Sequence, residues 1–363
     1  MTAPDISPAV PESARVPDGA VPPGFENTAI FGSVDEEFAA LRGGAGLVDR
    51  SARLRMLLGG AQAAETLTGL VTNDVGALHA GAGQYAAALT AKGKVISDVR
   101  IFARGEDLLL DTPASGGPGF AAMIRKYVNP RLARSADVSA VLRTIGIFGP
   151  RAHGVLASVL SAEGASAPSL AALRGLADFH HVGFDFAGAR IVIARVPDLG
   201  GEGFDCFVPV EVAARLWSRL LDVRATPVGR DATEIARVEA GRPMWGIDMD
   251  ENTLAQEANF DELDGISYTK GCYTGQETVA RVHFRGHVNR NLRGVQSAAP
   301  IPTGAELFDG EKPVGTMKSS VVSPRMGPIG LAMLRREVET GAELTARWDG
   351  GEGLTRVREI PFG

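Results

Sequence analysis

Cysteine is scarce: the 363 residues hold two, Cys206 and Cys272. Two thiols cannot build a four-ligand zinc site on their own, no CxxC pair is present, and nothing in the spacing asks for a disulfide. That scarcity suits a reducing compartment, so a cytoplasmic location is the expectation. An excess of basic residues is also missing. With a net charge of −6 the chain lacks the cationic surface from which a general nucleic-acid binder draws its affinity, although Arg281, Arg285, Arg290 and Arg293 could form a local basic patch. No stretch approaches the ~18 apolar residues of a membrane span. Residues 1–23 contain Pro4, Pro8, Pro11, Pro17, Pro22 and Pro23, with neither a basic start nor an apolar run. This excludes a classical signal peptide and predicts a disordered lead over residues 1–25.

Nucleotide-phosphate and hydrolase motifs are absent as well. Glycine is plentiful, yet no GxGxxG follows a strand and no GxxxxGK[ST] occurs; Gly93-Lys94 runs into Val95 instead. There is no GxSxG elbow and no HExxH. His283 and His287 stand four apart, but Gly286 between them interrupts the helix that would align them, so no metal site is expected.

What is present reads as mixed α and β structure. In Arg53-Leu-Arg-Met-Leu-Leu58, Leu54 and Met56 alternate with arginines as in a half-buried strand. Ala64, Leu67, Leu70 and Val71 recur at helical spacing up to Thr72-Asn73-Asp74. Strands over 84–90, 95–102 and 108–110 then form a meander around turns at Gly93 and Gly105. A helix near 120–127 and a strand near 141–148 complete the unit. The pattern recurs with a helix near 152–160, strands over 189–196 and 204–210, and an amphipathic helix over 211–221 carrying Leu216, Trp217, Leu220 and Leu221. Locally paired strands interleaved with helices predict an α+β fold. From Arg290 onward, short β-like runs between glycine turns predict a small antiparallel barrel or sandwich.

The most informative segment is Gly265-Ile-Ser-Tyr-Thr-Lys-Gly-Cys-Tyr-Thr-Gly-Gln-Glu-Thr-Val-Ala-Arg-Val282. Thr274 and Glu277 have the spacing of a capping box, which predicts a helix start with Cys272 two residues before the cap. A helix N-terminus, with Lys270 and Arg281 nearby, is an environment that lowers a thiol's pKa. The alternative is a cysteine that is simply packed before a helix.

Lys270, Gly271, Cys272, Tyr273, Gly275, Gln276, Glu277 and Arg281 resemble the signature of the YgfZ-type folate-binding family, which supports iron–sulfur proteins. Gly46-Leu-Val-Asp-Arg-Ser51, Leu70-Val-Thr-Asn-Asp-Val75 and Gly246-Ile-Asp-Met-Asp-Glu-Asn-Thr253 resemble the wider superfamily that includes the glycine-cleavage T-protein, an aminomethyltransferase. The resemblance implies a three-domain cloverleaf around a central folate opening, with a C-terminal antiparallel β-barrel. The implied division is 26–288 as the folate-binding region (26–140 with 230–288, and 141–229) and 289–363 as the barrel.

Tetrahydrofolate or a one-carbon derivative is the implied cofactor. Glu202 would grip the pterin, Tyr85 would lie beside it, Asp98 would sit near the reacting nitrogens, and Arg230 and Arg237 would hold the tail carboxylates. Residue patterning alone equally allows a hairpin turn at Glu202, a core Tyr85, a solvated Asp98 and surface ion pairs at Arg230 and Arg237. Ser97-Asp98 stands where T-proteins have two aspartates, and Cys272 stands where they have none. These departures, together with the absence of the proline usual in T-proteins near Thr253–Glu257, argue against lipoyl-carrier aminomethyl transfer. The implied function is therefore a folate-binding accessory protein for iron–sulfur cluster assembly or repair, serving iron–sulfur tRNA-modifying enzymes, with Cys272 and Lys270 as reactive groups. Its partners would be iron–sulfur assembly proteins or client enzymes. A tetrahydrofolate-dependent aminomethyltransferase or demethylase is the alternative.

Overall fold

The computed structural model describes residues 25–363, so the disordered lead expected over 1–25 falls, apart from Phe25, outside the described residues. The chain divides into two units, one of residues up to Ala52 with Ser139–Thr233, the other of Arg53–Val138 with Glu234–Gly363. It starts in the first unit with α1 (Val34–Gly43) and β1 (Gly46–Asp49). It then passes to the second for β2 (Leu54–Gly59), α2 (Ala63–Thr68), β3 (Gly83–Leu89), β4 (Val95–Ala103), β5 (Asp107–Thr112), α3 (Gly117–Tyr127) and β6 (Arg134–Asp137). The first unit resumes with β7 (Leu142–Phe148), α4 (Ala152–Ala162), α5 (Ala167–Arg174), β8 (His181–Phe186), β9 (Ala189–Arg195), β10 (Gly203–Pro209), α6 (Val210–Asp222) and β11 (Thr226–Pro227). Helix α7 (Arg230–Glu239) leads back to the second unit, which ends with α8 (Gln276–Arg285) and β12 to β17 between Arg290 and Arg358.

The recurrence expected from the sequence is a topological repeat. The second unit's sheet has the order β3-β4-β5-β2-β6, and the first unit's has β8-β9-β10-β7-β1, with β11 added parallel beyond β1. In each, a first strand is followed by helix, a three-strand meander and another helix. The place held by β6 in one sheet is held in the other by β1, which comes from the N-terminus. This corrects the expected division: residues 26–52 belong with 139–233, because β1 is hydrogen-bonded to β7 across Gly46–Asp49. Phe25 packs on Trp217 with ring centroids 5.3 Å apart, which anchors the start of the described chain to α6.

Each sheet buries one face beneath its helices. Met56, Leu58, Ala86, Val99, Ile101, Leu108 and Leu110 meet Leu67, Phe120 and Ile124 of α2 and α3 in the second unit. Ile145, Ile147, Ile193, Phe204 and Cys206 meet Leu156, Leu216, Trp217 and Leu220 of α4 and α6 in the first. Such alternation is what period-2 strands under amphipathic helices require. The C-terminal segment closes into a six-stranded antiparallel barrel, β12-β15-β14-β13-β16-β17, around Leu307, Met317, Leu334, Leu344 and Val357. The fold is thus α+β with a C-terminal barrel, and no described helix is long and apolar enough to cross a membrane.

Candidate functional site

Two segments nearly 200 residues apart in sequence are laced together within the second unit. Ser267 N donates to Thr72 O at 3.0 Å and Thr274 N to Gly69 O at 3.0 Å. Thr72 Oγ1 donates to Gly265 O at 2.6 Å, and Asn73 Nδ2 to Asp264 O at 2.8 Å. The Lys270 ammonium donates to Val71 O at 2.6 Å, Asn73 O at 3.0 Å and Thr68 O. It also lies 4.4 Å from the centre of the buried Tyr273 ring. Burial pushes Lys270 down to about 8, with Asp74 pulling the other way.

This geometry corrects the sequence expectation for the thiol's surroundings. No capping box forms at Thr274 and Glu277: α8 starts at Gln276, behind Gly275 with φ 86°, and no side chain caps it. Gly275 is required twice over, for its left-handed φ and because a Cβ there would lie 2.7 Å from Thr90 O. Cys272 therefore sits three residues before the N-cap, and Lys270 spends its donors on carbonyls. Within the signature, Gly271, Cys272, Glu277 and Arg281 are exposed, while Tyr273 and Gly275 are buried and Gln276 is half-buried. Val279 of α8 faces the core. Cys206 is the opposite case, a fully buried free thiol pushed up by burial and by Asp205. His283 stacks on Tyr268 at 3.6 Å between centroids, and His287 lies beyond the end of α8 at Gly286, so the two share no helical face.

The face of the second unit's sheet away from α2 and α3 carries the polar groups. Register pairs Tyr85 with Arg100 and Ala87 with Asp98, and Arg100 and Arg55 each with Asp111. The arginines Arg53 and Arg55, which the sequence pattern would leave facing solvent, are drawn inward, Arg55 to full burial. Asp111 binds Arg53 Nε at 2.6 Å and Arg100 Nε at 2.7 Å. Burial pushes its carboxyl up, but the neighbouring arginines outweigh that and hold it below the usual range. Asp98 is buried at 6% exposure, which rules out a solvated strand position. Tyr85 stacks on Phe260, centroids 5.1 Å apart and planes 9° from parallel. Gly265 borders this stack; a Cβ there would come within 2.7 Å of Phe260 and 3.3 Å of Tyr85.

Ser97 points to the other side. Its Oγ meets Thr112 Oγ1 at 2.5 Å, and it abuts Gly116 at the start of α3. A residue at 97 therefore shares no face with Asp98, and a serine there removes nothing from the Asp98 side. Ser97 therefore does not weigh against transferase chemistry at Asp98.

The remaining candidates have structural engagements of their own. Glu202, in the first unit, accepts from His153 N at 2.9 Å and so caps α4, whose own N-cap Arg151 makes no side-chain cap. A cavity of about 480 Å³ beside it is lined by Arg151, His153, Arg174 and Glu202. Arg230 is exposed, 3.4 Å from Asp231. Arg237 is buried and all five of its donors are taken, by Glu234 (two bonds), Asp248, Ser319 Oγ and Arg242 O. It bolts α7 to the barrel strand β14 (Lys312–Ser323) and has no N–H left for a folate tail. Glu239, on the same helix, pairs with Arg325 at 2.9 Å rather than with Arg237.

Phe260, Thr72, Arg100 and Asp111 join this neighbourhood without any signal from local periodicity. Their partners lie in other segments of the chain.

Comparison with known proteins gives a consistent result. The chain is 29% identical over 318 residues to an aminomethyltransferase of Nostoc sp., covering 85% of this chain and 82% of that protein. It is 30% identical over 340 residues to an aminomethyltransferase of Bacillus mycoides, covering 89% and 88%. The crystal structure of glycine cleavage system aminomethyltransferase T from Bartonella henselae superposes with a TM-score of 0.82 at 22% identity, covering 92% and 91%, and so shares the fold. The GCVT N-terminal domain family matches residues 16–263, a span that ends before Lys270–Glu277. On that match the chain belongs to the GCVT N-terminal domain family.

Proposed function

We propose that this protein binds tetrahydrofolate and carries out one-carbon chemistry of the aminomethyltransferase kind, with Asp98 as its acid–base group. The observation that carries this reading is the buried Asp98 carboxylate, on the same sheet face as the Tyr85–Phe260 stack. The flat aromatic pair suits a pterin, and Gly265 leaves the ring edge uncrowded. Tetrahydrofolate supplies the amine nitrogens that accept a one-carbon unit. Asp98 would hold or accept a proton there, a role that a carboxylate in a water-poor position performs well. The relatives named aminomethyltransferase support this reading, and the orientation of Ser97 removes one of the objections to it.

The test is titration calorimetry with tetrahydrofolate on wild type, Tyr85→Ala and Asp98→Asn, followed by an aminomethyl-transfer assay. The reading expects Tyr85→Ala to weaken binding by about tenfold or more. Asp98→Asn should retain binding and lose turnover by about 10²-fold or more. A wild type that does not bind tetrahydrofolate overturns it.

The exposed Cys272 favours a second reading, the YgfZ-type accessory role in iron–sulfur assembly or repair. One thiolate cannot hold a cluster, which normally takes four ligands, so a partner protein would have to complete the site. Under this reading Cys272→Ser leaves folate binding intact and lowers the activity of iron–sulfur enzymes in cells lacking the native protein. Full complementation by Cys272→Ser rules it out.

A further inference from the structure

We propose that Lys270 is the positioning residue for Cys272, a tethered cation whose seat on the carbonyls of Thr68, Val71 and Asn73 holds the Cys272 loop against the end of α2 and presents the thiol outward. The proposal builds on the reading of Cys272 as a working group, but the clamp is testable without any assay of function.

Three carbonyls converge on one ammonium, which matches the three donors a lysine carries. They come from the last residue of α2 and the turn after it, where a helix leaves carbonyls without partners and where its dipole favours a cation. The Tyr273 ring closes the remaining side at 4.4 Å. Burial of the Lys270 side chain and its lowered proton affinity agree with a charge drawn out of water.

The second pin lies four residues on, where Thr274 N donates to Gly69 O, next to a Gly275 that leaves no room for a Cβ against Thr90 O. Tyr273 is buried beneath the ammonium, so the pins leave two residues unburied, Gly271 and Cys272. A Cβ at Gly271 would meet no atom within 4 Å. The thiol is thus held at the tip of a short span whose ends are both fixed to the end of α2 and the turn that follows it. An apolar residue at position 270 could fill the same space, but it would strand the buried Val71 carbonyl and take the charged donor from those of Thr68 and Asn73.

A nitroxide label on Cys272 reads the clamp, because Cys206 is fully buried and takes no label in the folded protein. The expected spectrum is a slow component in wild type and a fast one in Lys270→Met. In Lys270→Ala, n-propylammonium chloride should restore the slow component, whereas sodium chloride at equal ionic strength should not. A folded Lys270→Met with the wild-type spectrum overturns the proposal, as does restoration by sodium chloride alone.

Should the variants fail to fold, reductive methylation of the wild type decides the matter. Lys270 should react about tenfold or more slowly than the exposed Lys312, and equal rates overturn the proposal. Loss of folate binding or of any Cys272 phenotype would refute the functional readings and leave these results unchanged.

Discussion

The two α/β sheets share one strand order and differ in what they bury behind it. In the second unit, Arg53 and Arg100 both bind Asp111, and the buried Arg55 is its register partner. In the first, Arg50 stands between Asp198 at 2.5 Å and Asp205 at 3.6 Å. Asp111 and Asp205 lie on the corresponding strands β5 and β10, yet the balance of charge is reversed. The cysteines divide the same way, one sealed in the core of the first unit and one exposed on a pinned loop of the second. The repeated topology is therefore carried by the apolar rows that meet the helices. The opposite rows have diverged in charge without disturbing it, and there the second unit holds Asp98 and Tyr85.

The largest effect that can break this comparison is the removal of each buried carboxylate in turn. Asp111→Asn removes the buried carboxylate that Arg53 and Arg100 share and should cost about 3–5 kcal/mol. Asp205→Asn leaves Arg50 with Asp198 and should cost about 1–2 kcal/mol. Denaturant unfolding measures both, with Trp217 reporting on the first unit and Trp245 and Trp348 on the second. Equal losses would show that the reversed charge balance has no energetic meaning.

Acidification sharpens the same contrast. The folded-state pKa of Asp111 lies below its unfolded value, so its contribution is fully present above about pH 3.9 and is lost as pH falls through the lowered value. The second unit's unfolding midpoint should fall over that window in wild type and fall less steeply in Asp111→Asn. A slope unchanged by the substitution would remove Asp111 as its source.

The smallest effect belongs to the first unit. Glu202→Ala deletes the cap on α4 and should cost about 1 kcal/mol, read as a loss at Trp217 with the second unit unmoved. If tetrahydrofolate binding also falls by tenfold, Glu202 has a ligand role beyond capping.

Much of the fold could be read along the chain. The arginine-interrupted run at 53–58, the meander from 84 to 110 and the stripe Leu216, Trp217, Leu220, Leu221 all emerged where their periodicity placed them. The barrel also followed from its spacing of strands and turns. These are local properties, because the burial of one face shows up within a few residues at a period of 2 or 3.6. The family-like segments were legible for the same reason, since they are contiguous.

What the sequence could not reveal were the partners of charged and polar groups. Arg55 looked solvent-facing and is fully buried. Arg237 looked like a ligand-binding cation and is consumed by a network reaching Ser319, 82 residues away. Lys270 looked like a charge beside Cys272 and instead grips carbonyls about 200 residues back. The sequence by itself determined which rows of side chains must leave water, because hydrophobic burial is non-directional and needs only a pattern. The tertiary structure alone decided which donor meets which acceptor. A hydrogen bond or ion pair depends on distance and direction between atoms that folding, not the chain, makes neighbours.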